Sequence, residues 1–224
     1  MTAGAGPVRP PAGRPRSRRG EGERLRDEIL AAAERLLLRT ADEDAVSMRA
    51  IAEEAGVAPP SIYLHFADKS ELLFEVCERH FAALDAATSS AAAQGDGPLD
   101  ALRLRGEAYF RFGLEHPEHY RILFLGKPTT TPPAWLSEKL AEAAALGHLV
   151  EDVQRCVDAG VLRPGVDPLL VAIGLWMAIH GAVSLMIAKP AFPWPDPEVV
   201  LDHVLDTQVF GLGLPPQPPT GAGR

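Results

Sequence analysis

Between residues 23 and 212 the apolar side chains recur at helical spacing, and nowhere do they alternate with polar ones over a useful length. A period near 3.6 leaves a helix one stripe to bury, whereas a half-buried strand needs a period of two. The pattern predicts an all-α chain with no internal repeat. At 224 residues the chain is long enough to bury a real core.

Prolines, glycines and capping residues divide this stretch. A first helix is expected from Glu23 to Leu38, with Leu25, Ile29, Ala32, Ala33, Leu36 and Leu37 on one face. A second runs from Ser47, whose hydroxyl can accept from a free backbone N–H, to Ala55, with Gly56 to make the turn. A third starts at Pro59, which suits a first helical position because it has no N–H to waste, and ends near Phe66. Asp68 and Glu71 form a capping box for a fourth, which carries Leu72, Leu73, Val76, Cys77, His80, Phe81 and Leu84 inward. Further helices are expected from Pro98 to about Leu114, from Pro117 to Leu125 and from about Ala134 to Ala159. The last two run from Pro168 to about Lys189 and from Glu198 to Leu212, with Thr/Pro-rich and Pro-rich loops over 126–133 and 190–197.

Residues 169–188 hold no charged side chain and are long enough to span a bilayer. The segment lies late in the chain, contains His180 and Ser184, and lacks a flanking Lys/Arg cluster. It reads as a helix buried on nearly all sides of a soluble bundle. The chain starts without the apolar run of a secretory signal, so a cytoplasmic location is expected. Cys77 and Cys156 are too few for a disulfide framework or a cysteine-rich zinc site and read as reduced core thiols.

A net charge of −8 by itself argues against a polyanionic partner, but its distribution reverses that. Residues 1–69 carry 11 basic and 11 acidic side chains, and residues 70–224 carry 11 and 19. Arg9, Arg14, Arg16, Arg18, Arg19, Arg24 and Arg26 crowd the start of the chain against only Glu21 and Glu23. A basic arm on an acidic chain is what local attraction to a polyanion needs. Residues 1–20, rich in Pro, Gly and Arg, read as a disordered arm, and 214–224 as a loose tail.

Ser47 to Phe66 has the features of a helix-turn-helix. Small Ala52 permits close approach, Gly56 turns the chain, and Val57 plugs the space beneath. Ile51, Ile62 and Phe66 form the internal face, which frees the following helix to lie in a major groove with its N-terminal end toward the bases. Ser61-Ile-Tyr-Leu-His-Phe is followed by Ala-Asp-Lys69-Ser-Glu-Leu-Leu73. This Tyr-x-His-Phe and x-x-Lys-x-x-Leu-Leu pattern resembles the TetR family of bacterial one-component transcription regulators, over Arg24 to about Leu84. The resemblance implies three N-terminal helices that bind DNA, a connecting fourth, and a larger helical domain that binds a small effector and dimerises. The expected division is 1–20 arm, 21–69 helix-turn-helix domain, 70–213 effector and dimerisation domain, and 214–224 tail. Trp176-Met-Ala-Ile-His180-Gly181, with Gly160-Val-Leu-Arg-Pro-Gly-Val-Asp167-Pro before it, resembles the W-x-x-x-H-G subgroup of effector domains. Pro59-Pro60 departs from the family, many members of which are polar at the first of these positions. One possible base contact is thereby absent, while Pro60 stays on the expected DNA face.

Tyr63 and Lys69 can reach phosphate oxygens, and the resemblance places His65 similarly. Ser47 can donate to a phosphate at a helix start. Arg49 can reach a guanine edge or a phosphate, and Ser61 a base edge. Arg14, Arg16, Arg18 and Arg19 can enter the adjacent minor groove and order on binding. Blander readings stand beside these: a Tyr63 ring packed on the domain, a His65 that caps carbonyls, a solvated Lys69 and an inert arginine tail.

In the second domain Tyr109, Phe112, Phe124, Trp176, Met177 and His180 are the large residues expected to face the centre. They are candidate walls of a mostly apolar ligand pocket, with plain core as the alternative. His180 follows Trp176 by four residues on one face and can bond a buried partner, and Gly181 can permit close helix packing. His116-Pro-Glu-His119 holds metal-ligand types, but Pro117 opens a helix between the two histidines, and the group reads as a surface cluster. No metal and no cofactor are expected. Gly-x-Ser-x-Gly, phosphate-loop and His-Glu-x-x-His signatures are absent from the sequence, which points away from an enzyme.

The expected protein is a homodimeric repressor, released from a palindromic double-stranded DNA operator by a small hydrophobic effector, with no membrane partner. The helix at 168–189 and the last helix would pair with their copies in a four-helix interface. The rivals are a helical small-molecule binding protein without specific DNA binding, and an all-helical enzyme that relies on His180.

Overall fold

The computed structural model describes residues 21–40, 45–125 and 144–212. The basic arm with Arg14, Arg16, Arg18 and Arg19, the loop expected at 126–133, the start of the helix expected from Ala134, and the tail lie outside the described residues. The described elements are α1 (Glu21–Thr40), α2 (Met48–Glu54), α3 (Pro59–Ile62), α4 (Lys69–Ala92), α5 (Pro98–Glu115) and α6 (Pro117–Tyr120). A π-helical turn (Arg121–Leu125) follows, then α7 (Ala144–Asp158), α8 (Pro168–Ala188) and α9 (Pro197–Leu212). No strand occurs among the described residues.

Local chemistry sets these boundaries. Ser47 Oγ accepts from the Ala50 N–H at 3.1 Å and caps α2, a contact worth about 1 kcal/mol. Gly56 takes φ 69°, which only glycine adopts freely, and turns the chain into α3. Asp68 Oδ1 accepts from the Glu71 N–H at 2.9 Å. Glu71 reaches back to the Ala67 N–H rather than to the cap's own, so the box closes one residue early. The helix expected to reach Phe66 ends at Ile62, and a turn carries the chain on so that Phe66 points into the core at 1% exposure. The expected helix from Pro117 to Leu125 is α-helical only to Tyr120 before it widens into the π turn.

Ile29, Ala33, Ile51, Ile62, Phe66 and Leu72 are fully buried together and fuse α1, α2, α3 and the start of α4 into one head. Leu84 and Thr88, further along α4, are buried under the second set of helices, so this helix serves both parts. There, Phe110, Tyr120, Ile179, Val183 and Leu201 form one core cluster, and Leu102, Val153, Cys156 and Ala172 another. Neither cysteine is in a disulfide; Cys156 is buried and Cys77 only half-buried, which corrects the expectation of two core thiols.

The helix expected to be buried on nearly all sides, α8, is buried on one. Ala172, Leu175, Ile179, Val183 and Ile187 pack inward, while Leu170, Met177 and Leu185 are 66%, 64% and 52% exposed. The helix is long and apolar enough to cross a membrane. Its inward side instead packs against α5, α7 and α9. The close approach foreseen at Gly181 occurs on α5. A Cβ at Gly106 would lie 2.8 Å from Ile179 Cδ1, and one at Gly113 would lie 2.5 Å from Val183 Cγ1. At Gly181 a Cβ would meet no described atom within 4 Å.

Candidate DNA-binding face and ligand cavity

The head is strapped together by ion pairs. Arg35 Nε and Arg39 Nη2 donate to the Glu54 carboxylate at 2.8 and 2.6 Å, joining α1 to α2. These hydrogen bonds hold the Glu54 carboxyl down at about 2. Arg26 pairs with Glu75 and lies with its Cζ 4.8 Å from the centre of the Phe66 ring, while Arg79 pairs with Asp27. The α1 helix is thus tied to α2 and α4 on either side of the turn that carries Tyr63.

On this frame Ser47, Arg49, Pro60 and Tyr63 are exposed, and Ser61, His65 and Lys69 are half-buried. Tyr63 is 56% exposed, so its ring is not packed away on the domain. The Ser47 oxygen accepts in the cap, which leaves its O–H free in direction to donate to a phosphate. Leu64, which the sequence reading did not single out, is 83% exposed beside Tyr63. Its place between buried Ile62 and Phe66 was the available signal. An apolar side chain standing out there can contact a thymine methyl.

Between α4, α5, the π turn, α7, α8 and α9 lies a cavity of about 440 Å³. Phe81, Leu102, Leu149 and Leu175 are among its walls, as are three of the six expected residues: Tyr109, Phe124 and Trp176. His180 stands one layer behind. Met177 faces away from the cavity on the exposed side of α8, and Phe112 packs instead against His116, with ring centres 4.9 Å apart. Both were expected to face the domain centre as pocket walls. For Met177 the reason is that α8 is apolar all round, so periodicity did not distinguish its two faces; Phe112 is buried as expected, but on α5 against His116 rather than at the cavity.

Behind the wall a polar network is closed on itself. Trp176 Nε1–H donates to Tyr109 Oη at 3.1 Å, and Tyr109 Oη lies 3.2 Å from Tyr120 Oη and 3.1 Å from His180 Nδ1. Tyr120 Oη also meets His180 Nδ1, and His180 Nε2 meets Ser184 Oγ at 3.2 Å. One assignment satisfies every group: Trp176 donates to Tyr109, Tyr109 to Tyr120, Tyr120 to the single lone pair of His180 Nδ1, and Nε2–H to Ser184. Burial agrees with it, pulling the His180 pKa down and pushing both tyrosine hydroxyls up.

Two charged groups in this region escaped the sequence reading. Arg105, 7% exposed in the cavity wall, donates from Nε to Asp152 of α7 and from Nη1 to Thr88 and Ser89 Oγ at 3.3 and 3.2 Å. Asp152 is 1% exposed and also receives half-exposed Arg155. A charge on the inward stripe of α5 was the signal. The second group joins Glu34 of α1, His80 of α4 and His119 of α6. His119 was expected to lie with His116 in a surface cluster. The two do lie together, with ring centres 5.5 Å apart, but only His116 is exposed; half-buried His119 also stacks on His80 with ring centres 4.3 Å apart.

Residues 29–76 match the family described as "Bacterial regulatory proteins, tetR family", and residues 102–208 match "Tetracyclin repressor-like, C-terminal domain". The HTH-type transcriptional activator FasR of Mycolicibacterium smegmatis is 30% identical over 170 residues, which cover 76% of this chain and 75% of that one. A solved structure of a protein of unknown function from Rhodococcus sp. RHA1 superposes with TM-score 0.73 at 27% identity, over 90% of this chain and 100% of that one. The transcriptional regulator FadR of Bacillus subtilis, solved in complex with stearoyl-CoA, superposes with TM-score 0.71 at 19% identity, over 83% of this chain and 98% of that one.

Proposed function

Because this chain belongs to the TetR family of bacterial regulatory proteins, we propose that it is a cytoplasmic repressor that leaves a palindromic operator when a hydrophobic ligand fills the cavity behind Trp176 and Phe124. It is a ligand-responsive, DNA-binding transcription regulator, and its relatives are regulators rather than enzymes. The observation that carries the ligand class is the apolar wall of the cavity: among its described residues buried Arg105 is already neutralised by Asp152, and Arg103 by Glu107, Asp202 and Asp206. Such a site favours a long or bulky apolar molecule over a polar metabolite. Repression needs only that the protein occupy the operator, whereas activation needs a further contact with the transcription machinery.

The proposed reading surface is Ser47, Arg49, Pro60, Ser61, Tyr63, His65 and Lys69, with Leu64 added. The exposed apolar side chains of α8 and Val199 of α9 support a homodimer built on these two helices. Two copies would place their reading turns in successive major grooves, about 34–36 Å apart. A ligand that binds another spacing better would release DNA, by no more than its difference in affinity for the two.

Selection from a random duplex DNA pool tests this, with Tyr63→Ala in parallel. An enriched inverted repeat, lost in the variant, is expected. Triclosan and a long-chain fatty acid then serve as apolar probes of release, with a sugar phosphate as the polar control. No enrichment at low salt from a folded dimer would overturn the reading of the DNA face. Release by the sugar phosphate alone would overturn the ligand class.

A further inference from the structure

We propose that Glu34, His80 and His119 form a binding site for a divalent transition metal of the zinc type, which clamps the head to the ligand-binding helices. The three ligand atoms come from three different elements, α1, α4 and α6, and all lie within 4.8 Å of one another. Glu34 Oε1 is 3.5 Å from His80 Nε2 and 3.4 Å from His119 Nε2. Zinc bonds to imidazole and carboxylate run about 2.0–2.2 Å, so neighbouring ligands of a tetrahedral ion stand about 3.4 Å apart. The two Glu34 separations match that edge, and the two imidazole nitrogens lie within 4.8 Å of each other. The Glu34 separations are long for an N–H···O hydrogen bond, which centres on about 2.9 Å.

A second observation comes from His80 itself. His80 is 7% exposed, and its Nε2 is buried without a hydrogen bond while it points at the Glu34 carboxylate and the His119 ring. A buried polar atom left unpaired costs about 1–3 kcal/mol, and coordination to an ion removes that penalty. Two imidazoles and one carboxylate suit zinc or cobalt, whereas calcium and magnesium take oxygen-rich sets. Glu34 and His119 are half-buried rather than sealed, which leaves a way in for the ion and room for water at a fourth position.

The position gives such an ion a regulatory consequence. Glu34 belongs to the helix that Arg35 and Arg39 strap to α2. His119 precedes Tyr120, whose hydroxyl bonds His180 behind the cavity wall. A bound ion would therefore hold α6 against α1 and fix how the head sits on the ligand-binding helices.

Cobalt is the probe of choice. The untagged full chain, stripped with a chelator, is titrated with Co(II) and followed by visible absorption. The expected result is the intense d–d bands of a four-coordinate ion at one equivalent per chain, bleached by Zn(II). Glu34→Gln and His119→Gln, each shown folded by circular dichroism, should lose affinity about a hundredfold or more. His116→Gln, which keeps all three ligands, should retain it. The proposal is overturned if the wild type gives only the pale spectrum of six-coordinate cobalt. It is equally overturned if both ligand variants titrate like wild type, or if His116→Gln alone abolishes binding. The readout needs no DNA, so it stands apart from the repressor reading.

Discussion

Arg105→Met isolates the energetics of the cavity wall. The substitution keeps an unbranched stem but removes the guanidinium and its charge, leaving Asp152 at 1% exposure with Arg155, whose side chain is 56% exposed. Removing one partner of a buried ion pair costs about 3–5 kcal/mol, because the other charge stays desolvated. Arg155 remains as partial compensation, so the lower end, about 3 kcal/mol, is expected. For a chain of this length each kcal/mol moves the melting temperature about 2–4 °C, so Tm should fall by about 6–12 °C. Adding Asp152→Asn removes the orphaned charge and should recover most of that loss. The sign with pH follows from proton linkage. An orphaned, buried carboxyl takes up a proton more readily in the folded variant than in the unfolded chain, so the variant's deficit should shrink as pH falls through the carboxylate range. Differential scanning calorimetry at neutral and acid pH measures all three. A single variant within about 2 °C of wild type, or a double variant no more stable than the single, would refute the argument that burial makes this pair costly to break.

Other expectations follow from particular contacts. Glu54 titrates at about 2 rather than 4.5, so its strap contributes stability above pH 4.5 that is lost as pH falls toward 2. Glu54→Gln should flatten that acid limb in a thermal melt, and an unchanged limb would count against the strap. Gly113→Ala would bring a Cβ to 2.5 Å from Val183 Cγ1 and 3.0 Å from Tyr120 Cδ2. It should lower stability by about 1–3 kcal/mol in urea unfolding, and no change would show that α5 and α8 are free to part. In operator binding, Lys69→Ala should reduce the log–log salt slope by about one per subunit, because a cation on a phosphate displaces a counterion. Tyr63→Ala should weaken binding at unchanged slope, since its hydroxyl is neutral; equal slopes for all three proteins would remove Lys69 from the phosphate contacts.

The parts of the fold written in short-range chemistry were readable. Ser47, Gly56, Asp68 and Asp167 cap or turn where their residue types say, because each acts on backbone groups two to four residues away. The helix-turn-helix core was readable for the same reason, as Ile51, Ile62 and Phe66 sit within one short stretch. Three things were not. Which side of α8 faces inward is undetermined by a segment that is apolar everywhere, and that misplaced Met177. The Arg105–Asp152 pair spans 47 positions, and Glu34, His80 and His119 come from three helices, so nothing local announces either group. The π turn has no residue signature of its own.

That turn packs Ile122 against the core of the head while its neighbours Leu123 and Phe124 line the cavity. Adjacent residues of one unusual turn thus touch the two surfaces that a regulator must connect, and π turns recur where a chain has work to do. Variation at this turn is therefore pleiotropic. A substitution that widens the cavity at Leu123 or Phe124 to admit a new molecule also disturbs the seat of Ile122 and hence the resting grip on DNA. Lineages that diverge in what they sense should show matching drift in basal promoter occupancy, and a variant library selected for a new inducer alone should return clones whose uninduced expression has shifted as well.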